Sequence, residues 1–129
     1  MLPTVFEVPG LPPGNDTYSQ VSMLGDLVYV SGQLGVDPAT GRLAEGGVQA
    51  QTRQAILNVA RCLEAAGSSL ERVAKVNLYL VDFASSIGSA NVVYAEYFRH
   101  RPAKTGVGVA SLWGGALVEI EVVAGRSVS

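Results

Sequence analysis

Val73-Ala-Lys-Val-Asn-Leu-Tyr-Leu80, read at a period of two, puts Ala74, Val76, Leu78 and Leu80 on one face and Lys75, Asn77 and Tyr79 on the other. That is the pattern of a strand with one buried side. The period then changes. Phe83, Ile87, Ala90, Tyr94 and Phe98 recur at helical spacing, so a helix is predicted from about Phe83 to His100, stopped by Pro102. Upstream, Val48, Thr52, Ala55, Ile56, Val59, Leu63 and Ala66 form a longer helical stripe that ends at Gly67, a residue suited to a helix C-terminus.

Working outward, Pro9 to Asn15 is a turn-rich segment, Tyr18 to Leu24 reads as a strand, and Gly25-Asp26 is a turn. Leu27-Val-Tyr-Val30 is a second strand running into Ser31-Gly-Gln33, and Asp37 to Gly41 is a loop. Two strands close the chain, Arg101-Pro-Ala-Lys-Thr-Gly-Val-Gly-Val109 and Val118-Glu-Ile-Glu-Val122. The order strand, strand, long helix, strand, helix, strand, strand sets two amphipathic helices against one sheet, a two-layer α+β sandwich.

The chain has 129 residues, 48% hydrophobic and 16% charged, and reads as a single domain, 1–129, able to bury a core unaided. Its charge is slightly low for a monomer's surface, which leaves room for an oligomer. The net charge is −2 and there is no basic stripe, so nucleic acid is not an expected partner. One cysteine, Cys62, and one histidine, His100, exclude a disulfide framework and a multi-ligand metal centre; no metal and no cofactor are expected. No stretch has the length and apolarity of a membrane span or a signal peptide, so a cytoplasmic location is expected.

Three features carry chemistry. In the strand at 101–109, Lys104 shares a face with Gly106 and Gly108, while Thr105, Val107 and Val109 suit a packed interior. Paired glycines indicate a close approach, either by a ligand or another subunit or within a tightly packed sheet. Glu119 and Glu121 share the face opposite Val118, Ile120 and Val122. They are either solvated carboxylates or contain a general base tuned by burial. Asn91 falls on the second helix's apolar stripe, where a buried amide needs partners: a structural tie or a ligand contact.

Together, Tyr18-Ser-Gln20, Val30-Ser-Gly-Gln33, Asp37-Pro-Ala-Thr-Gly41, Gln51-Thr-Arg-Gln54, Asn58, Ala65-Ala-Gly67, Asn91-Val-Val-Tyr94, Pro102-Ala103 and Leu117-Val-Glu-Ile-Glu121 resemble the RidA family, also called YjgF or L-PSP. The resemblance spans about Tyr18 to Ala124. It implies a chorismate-mutase-like α+β fold, a mixed β-sheet with two helices packed on one face. It also implies a homotrimer with ligand sites in clefts between subunits, and hydrolysis of enamines and imines such as 2-aminoacrylate to 2-keto acids and ammonia. By the same resemblance Glu119 activates water, while Tyr18, Ser31, Gly32 and Asn91 line the cleft. Lys104 stands where the family has a carboxylate-clamping arginine, Gly106 where active members often have cysteine, and Trp113-Gly-Gly115 where many have Leu-Pro. Lysine holds a carboxylate with less orientational control than arginine, and the pocket implied is larger and less polar at its floor.

Two function classes follow. One is a hydrolytic deaminase of a carboxylate-bearing imine or enamine, with Lys104 and Gly106 among its substrate contacts; a Schiff base on Lys104 is a more remote variant. The other is a non-catalytic trimer that binds a small carboxylate or carbonyl compound, or serves as a pathway accessory. The ribonuclease label attached to some relatives fits worst, because the chain lacks a basic groove and a histidine pair.

Overall fold

The computed structural model describes residues 1–127. Its main sheet has six strands: β1 (Thr4–Phe6), β2 (Val21–Leu24), β3 (Leu27–Leu34), β6 (Val73–Val81), β7 (Ala103–Val109) and β8 (Val118–Gly125). Their order is β1-β2-β3-β8-β6-β7, and only β6 and β7 run parallel. A small hairpin, β4 (Val36–Asp37) and β5 (Arg42–Leu43), brackets the loop expected at Asp37 to Gly41. Helices α1 (Gly47–Ala65) and α2 (Phe83–Tyr97) both pack on one face. The fold is thus the α+β arrangement expected, a mixed sheet carrying two helices.

The core lies between these layers. Ala55, Ile56, Val59 and Leu63 of α1 and Ala90, Val93 and Tyr94 of α2 meet Val28, Val30, Val76, Leu78, Leu80, Val118, Ile120 and Val122 of the sheet. Gly67 (φ +76°) ends α1 as expected: the Ser68 amide donates to the Leu63 carbonyl (2.8 Å) and the Gly67 amide to Glu64 (3.1 Å), a Schellman closure.

Several elements differ from the sequence reading. The register of β6 against β8 shifts between Val73 and Lys75, so Val73 is buried and Ala74 exposed. Two extra buried methyl groups contribute about 1.5 kcal/mol, enough to favour this register over one that buries Ala74. Tyr18 is not in a strand: β2 begins at Val21, and Tyr18 closes a tight loop with Asn15. Helix α2 ends at Tyr97, and Phe98 leaves the helix to pack in the core, its ring stacked on Tyr94 at 4.6 Å.

The most consequential correction concerns β7. Its partners across β6 are Val76↔Lys104, Leu78↔Gly106 and Leu80↔Gly108, so the lysine and both glycines share the helix side with the buried residues of β6. Thr105 and Val107 are exposed on the opposite face, Val107 at 39%. The close approach signalled by the glycines comes from α2. A Cβ on Gly108 would lie 2.9 Å from Phe83 Cβ, and one on Gly106 would lie 3.6 Å from the Phe83 ring.

Candidate functional site

Glu119 and Glu121 occupy the helix-free face of β8, as their alternation with Val118, Ile120 and Val122 requires. The two have different surroundings. Asn77 donates to Glu121 Oε1 at 3.0 Å, and the Tyr79 hydroxyl donates to the same oxygen. The Tyr79 phenol is pushed up to about 12, first by that bond and then by burial. Glu121 is therefore committed to the sheet. Glu119 has no such donor among the described residues, and burial, then the charge of Glu121, raises its pKa above the ordinary 4.5.

What holds Glu119 is a bulge. β3 and β8 pair at Val30↔Val122 and again at Gln33↔Ile120, so β3 carries one extra residue between those pairs. Gly32 lies in that bulge, against the carboxylate: a Cβ there would be 2.6 Å from Glu119 Cδ and 2.8 Å from Oε1. The glycine makes room for the acid. Beside it, Ser31 Oγ donates to the Ser19 carbonyl (2.6 Å), and the Ser31 amide donates to the Gln20 carbonyl (2.9 Å). The serine thereby ties the Tyr18 loop to the bulge. That loop is further fixed by Asn15 Oδ1, which accepts from the Thr17 amide (2.7 Å) and hydroxyl (2.6 Å).

Tyr18, Ser31, Gly32 and Glu119 line one hollow of about 710 Å³. Pro12, Pro13, Asn58 and Trp113 also line it; the sequence reading names none of them as a ligand contact and takes Trp113 only as a departure that reshapes the pocket. Asn58 was seen only as a family match; its Nδ2 donates to the carbonyls of Leu34 (3.1 Å) and Val36 (2.9 Å), fixing the far wall. Gln20, fully buried, accepts from the Val8 amide and donates to the Pro12 carbonyl, which holds the proline segment in place. An amide facing a core strand is the signal that would have found it.

Lys104 and Asn91 lie elsewhere. They line a separate hollow of about 590 Å³ with Tyr94, Arg99, Arg101 and Pro102. The Lys104 ammonium donates to Asn91 Oδ1 and sits 4.2 Å from the centre of the Tyr94 ring. Burial lowers its pKa below 10.5. Asn91 is not on the buried stripe of α2, which consists of Ser86, Ala90, Val93 and Tyr94; it is exposed at the helix edge, over β7. Gly106 lines neither hollow and faces Phe83 and Ile87. Within one chain the acid and the ammonium are on opposite faces of the sheet, because Lys104 pairs with Val76 and Glu119 with Tyr79.

The family described as Endoribonuclease L-PSP matches residues 11–125. The chain belongs to this family, the RidA/YjgF/L-PSP family. A RutC family protein of Pyrococcus horikoshii is 43% identical over 108 residues, covering 83% of this chain and 85% of that protein. The Bos taurus protein named 2-iminobutanoate/2-iminopropanoate deaminase is 41% identical over 108 residues, covering 83% and 78% of the two chains. Among solved structures, RidA from the Antarctic bacterium Psychrobacter sp. PAMC 21119 is 41% identical with a TM-score of 0.83, over 90% of this chain and 94% of that one. Escherichia coli TdcF with bound serine has a TM-score of 0.87 at 32% identity, over 96% and 99%. No helix among the described residues is long and apolar enough to cross a membrane.

Proposed function

We propose that the protein hydrolyses a carboxylate-bearing imine or enamine to a keto acid and ammonia, in a cleft formed by the Glu119 hollow of one copy and the Lys104 hollow of another. The half-buried Glu119 carboxylate, without a hydrogen-bond donor among the described residues and seated on the Gly32 bulge, carries this reading. A carboxylate whose pKa is raised by burial is suited to taking and returning a proton. The names of the relatives about 40% identical to this chain point the same way.

The chemistry balances on Glu119 alone. An enamine first tautomerises to its imine. Glu119 takes a proton from water as the hydroxyl adds to the imine carbon, and the C=N pair moves to nitrogen. Glu119 returns that proton to nitrogen, giving a carbinolamine. It then removes the hydroxyl proton as C=O forms, and delivers it to nitrogen as the C–N bond breaks and ammonia leaves. The second copy's Lys104 pairs with the substrate carboxylate, and Tyr18 and Asn91 bound the cleft.

The two-copy arrangement has a direct test. Lys104→Ala and Glu119→Gln are each expected to lose activity, and co-refolding them in equal amounts restores about a quarter of the intact clefts in a cyclic oligomer with heterologous interfaces. Ammonia release from 2-aminoacrylate measures it. Recovery supports the shared cleft. Activity in either variant alone, or no recovery from a mixture shown by mass to contain mixed oligomers, refutes it.

A further inference from the structure

Trp113 is the chain's only tryptophan, and 85% of it is exposed. It lines the same hollow as Tyr18, Glu119, Pro12 and Pro13. Its loop is anchored at the base and held open at the tip. At the base, Ala116 is buried with its amide bonded to the Trp113 carbonyl (3.2 Å), and the Leu117 amide donates to Gln51 Oε1 (2.9 Å). At the tip, Gly114 (φ +65°) and Gly115 (φ +75°) are both left-handed, and a Cβ on either would meet nothing within 4 Å. The glycines are thus required for backbone conformation and not for space, and the conformation they set presents the indole at the mouth of the hollow.

We propose that Trp113 is the wall on which the substrate's side chain stacks, so that this site selects imines bearing an aromatic or other flat apolar group. The proposal rests on the deaminase reading of the same hollow. At about 710 Å³ the hollow far exceeds what a three-carbon imino acid fills. Its apolar lining comprises Trp113, Tyr18, Pro12, Pro13, Leu34 and Val36, and offset stacking on an indole or phenol face suits a flat ring. Among the described residues its only charged lining groups are Glu119 and Glu121, which disfavour an acidic side chain.

The test compares imines generated in place from phenylalanine, leucine, alanine and glutamate by an amino-acid oxidase. The native protein is expected to favour the phenylalanine imine over the alanine imine on the order of tenfold in kcat/KM, the scale of one good apolar pocket contact. Trp113→Ala brings that ratio towards one, and Trp113→Phe keeps most of it. Independently, emission of the single tryptophan is titrated with 3-phenylpropanoate and with propanoate; a response to the first at much lower concentration supports the proposal. If no imine turns over but this difference persists, the deaminase reading falls and the selectivity stands. A preference for alanine or glutamate imines, an unchanged ratio in Trp113→Ala, or equal responses to the two acids overturns the proposal. So does a change in native mass on Trp113→Ala, which would place the ring in a subunit contact.

Discussion

Gly32→Ala separates the placement of Glu119 from the stability of the fold. The added Cβ would lie 2.6 Å from Glu119 Cδ, 2.8 Å from Oε1 and 2.9 Å from Cγ. Ordinary contact begins at about 3.4 Å, so the carboxyl group must retreat by roughly 0.5–0.8 Å. Gly32 is not left-handed, so alanine fits its backbone and lowers the entropy of the unfolded chain by an equivalent of about 0.4–1 kcal/mol. The cost of turning one half-exposed side chain off its preferred rotamer is about 0.5–1.5 kcal/mol. These nearly cancel, leaving a change within about 1 kcal/mol, or about 4 °C in Tm for a chain of this size. Catalysis has no such compensation: a misplacement of about 1 Å can cost about a hundredfold in rate, so this smaller retreat should cost on the order of tenfold, or about 1.4 kcal/mol of transition-state stabilisation. Thermal unfolding and kcat for ammonia release from 2-aminoacrylate are the two readouts. In a Glu119→Gln background, Gly32→Ala should cost little more, because the pair acts as one unit. A stable Gly32→Ala protein with undiminished kcat would refute the reasoning, as would full additivity of the two substitutions.

The glycines of β7 make the opposite prediction. Gly108→Ala drives a Cβ to 2.9 Å from Phe83 Cβ, an atom fixed close to the α2 backbone, and should lower stability by about 1–3 kcal/mol. Gly106→Ala meets only ordinary contacts at 3.6 Å and should stay within about 0.5 kcal/mol; denaturant midpoints compare the two. The pH profile of kcat/KM follows from the two shifted groups. Glu119 must be ionised to act as a base, so activity rises with pH through a pKa above the usual 4.5, and it falls again as Lys104 loses its proton below the usual 10.5. Lys104→Arg should remove the alkaline limb, since a guanidinium stays charged throughout; an alkaline limb unchanged in that variant would count against Lys104 as the group responsible.

The periodicities of Val73 to Leu80 and of α1 were legible because each carries one strongly apolar face, and burial of that face dictates the element. β7 was misread for the same physical reason. Its two faces differ little in polarity: valines mark one, and glycines with a single lysine mark the other. Which face meets the helices is fixed only by pairing with β6, a long-range fact that alternation within seven residues does not contain. Asn91 was misplaced because Ala90 and Tyr94 set the stripe's centre and an adjacent position is rotated off it. The Gly32 bulge left a trace, since a glycine inside a strand marks a bulge or a close approach. Which acid it would receive depended on the pairing of β3 with β8.

The lysine that stands where the family resemblance implies an arginine takes on a different meaning in this setting. A free lysine is a flexible point charge, and its weakness as a clamp is loss of orientation. Lys104 is not free. Asn91 Oδ1 accepts one of its three protons and the Tyr94 ring covers it at 4.2 Å, so the stem's freedom is spent before a ligand arrives. Two N–H donors remain, matching in number the two oxygens of a carboxylate, although they lack the planar fork that fixes the plane of the pair. The deficit left is angular, not positional. Since Lys104 and Glu119 face opposite sides of the sheet, the distance between ammonium and base in a shared cleft is set by how two copies dock. In the proposed shared cleft, Lys104 and the 113–115 loop then act on one quantity: how far from the paired carboxylate the reacting carbon and its side chain reach.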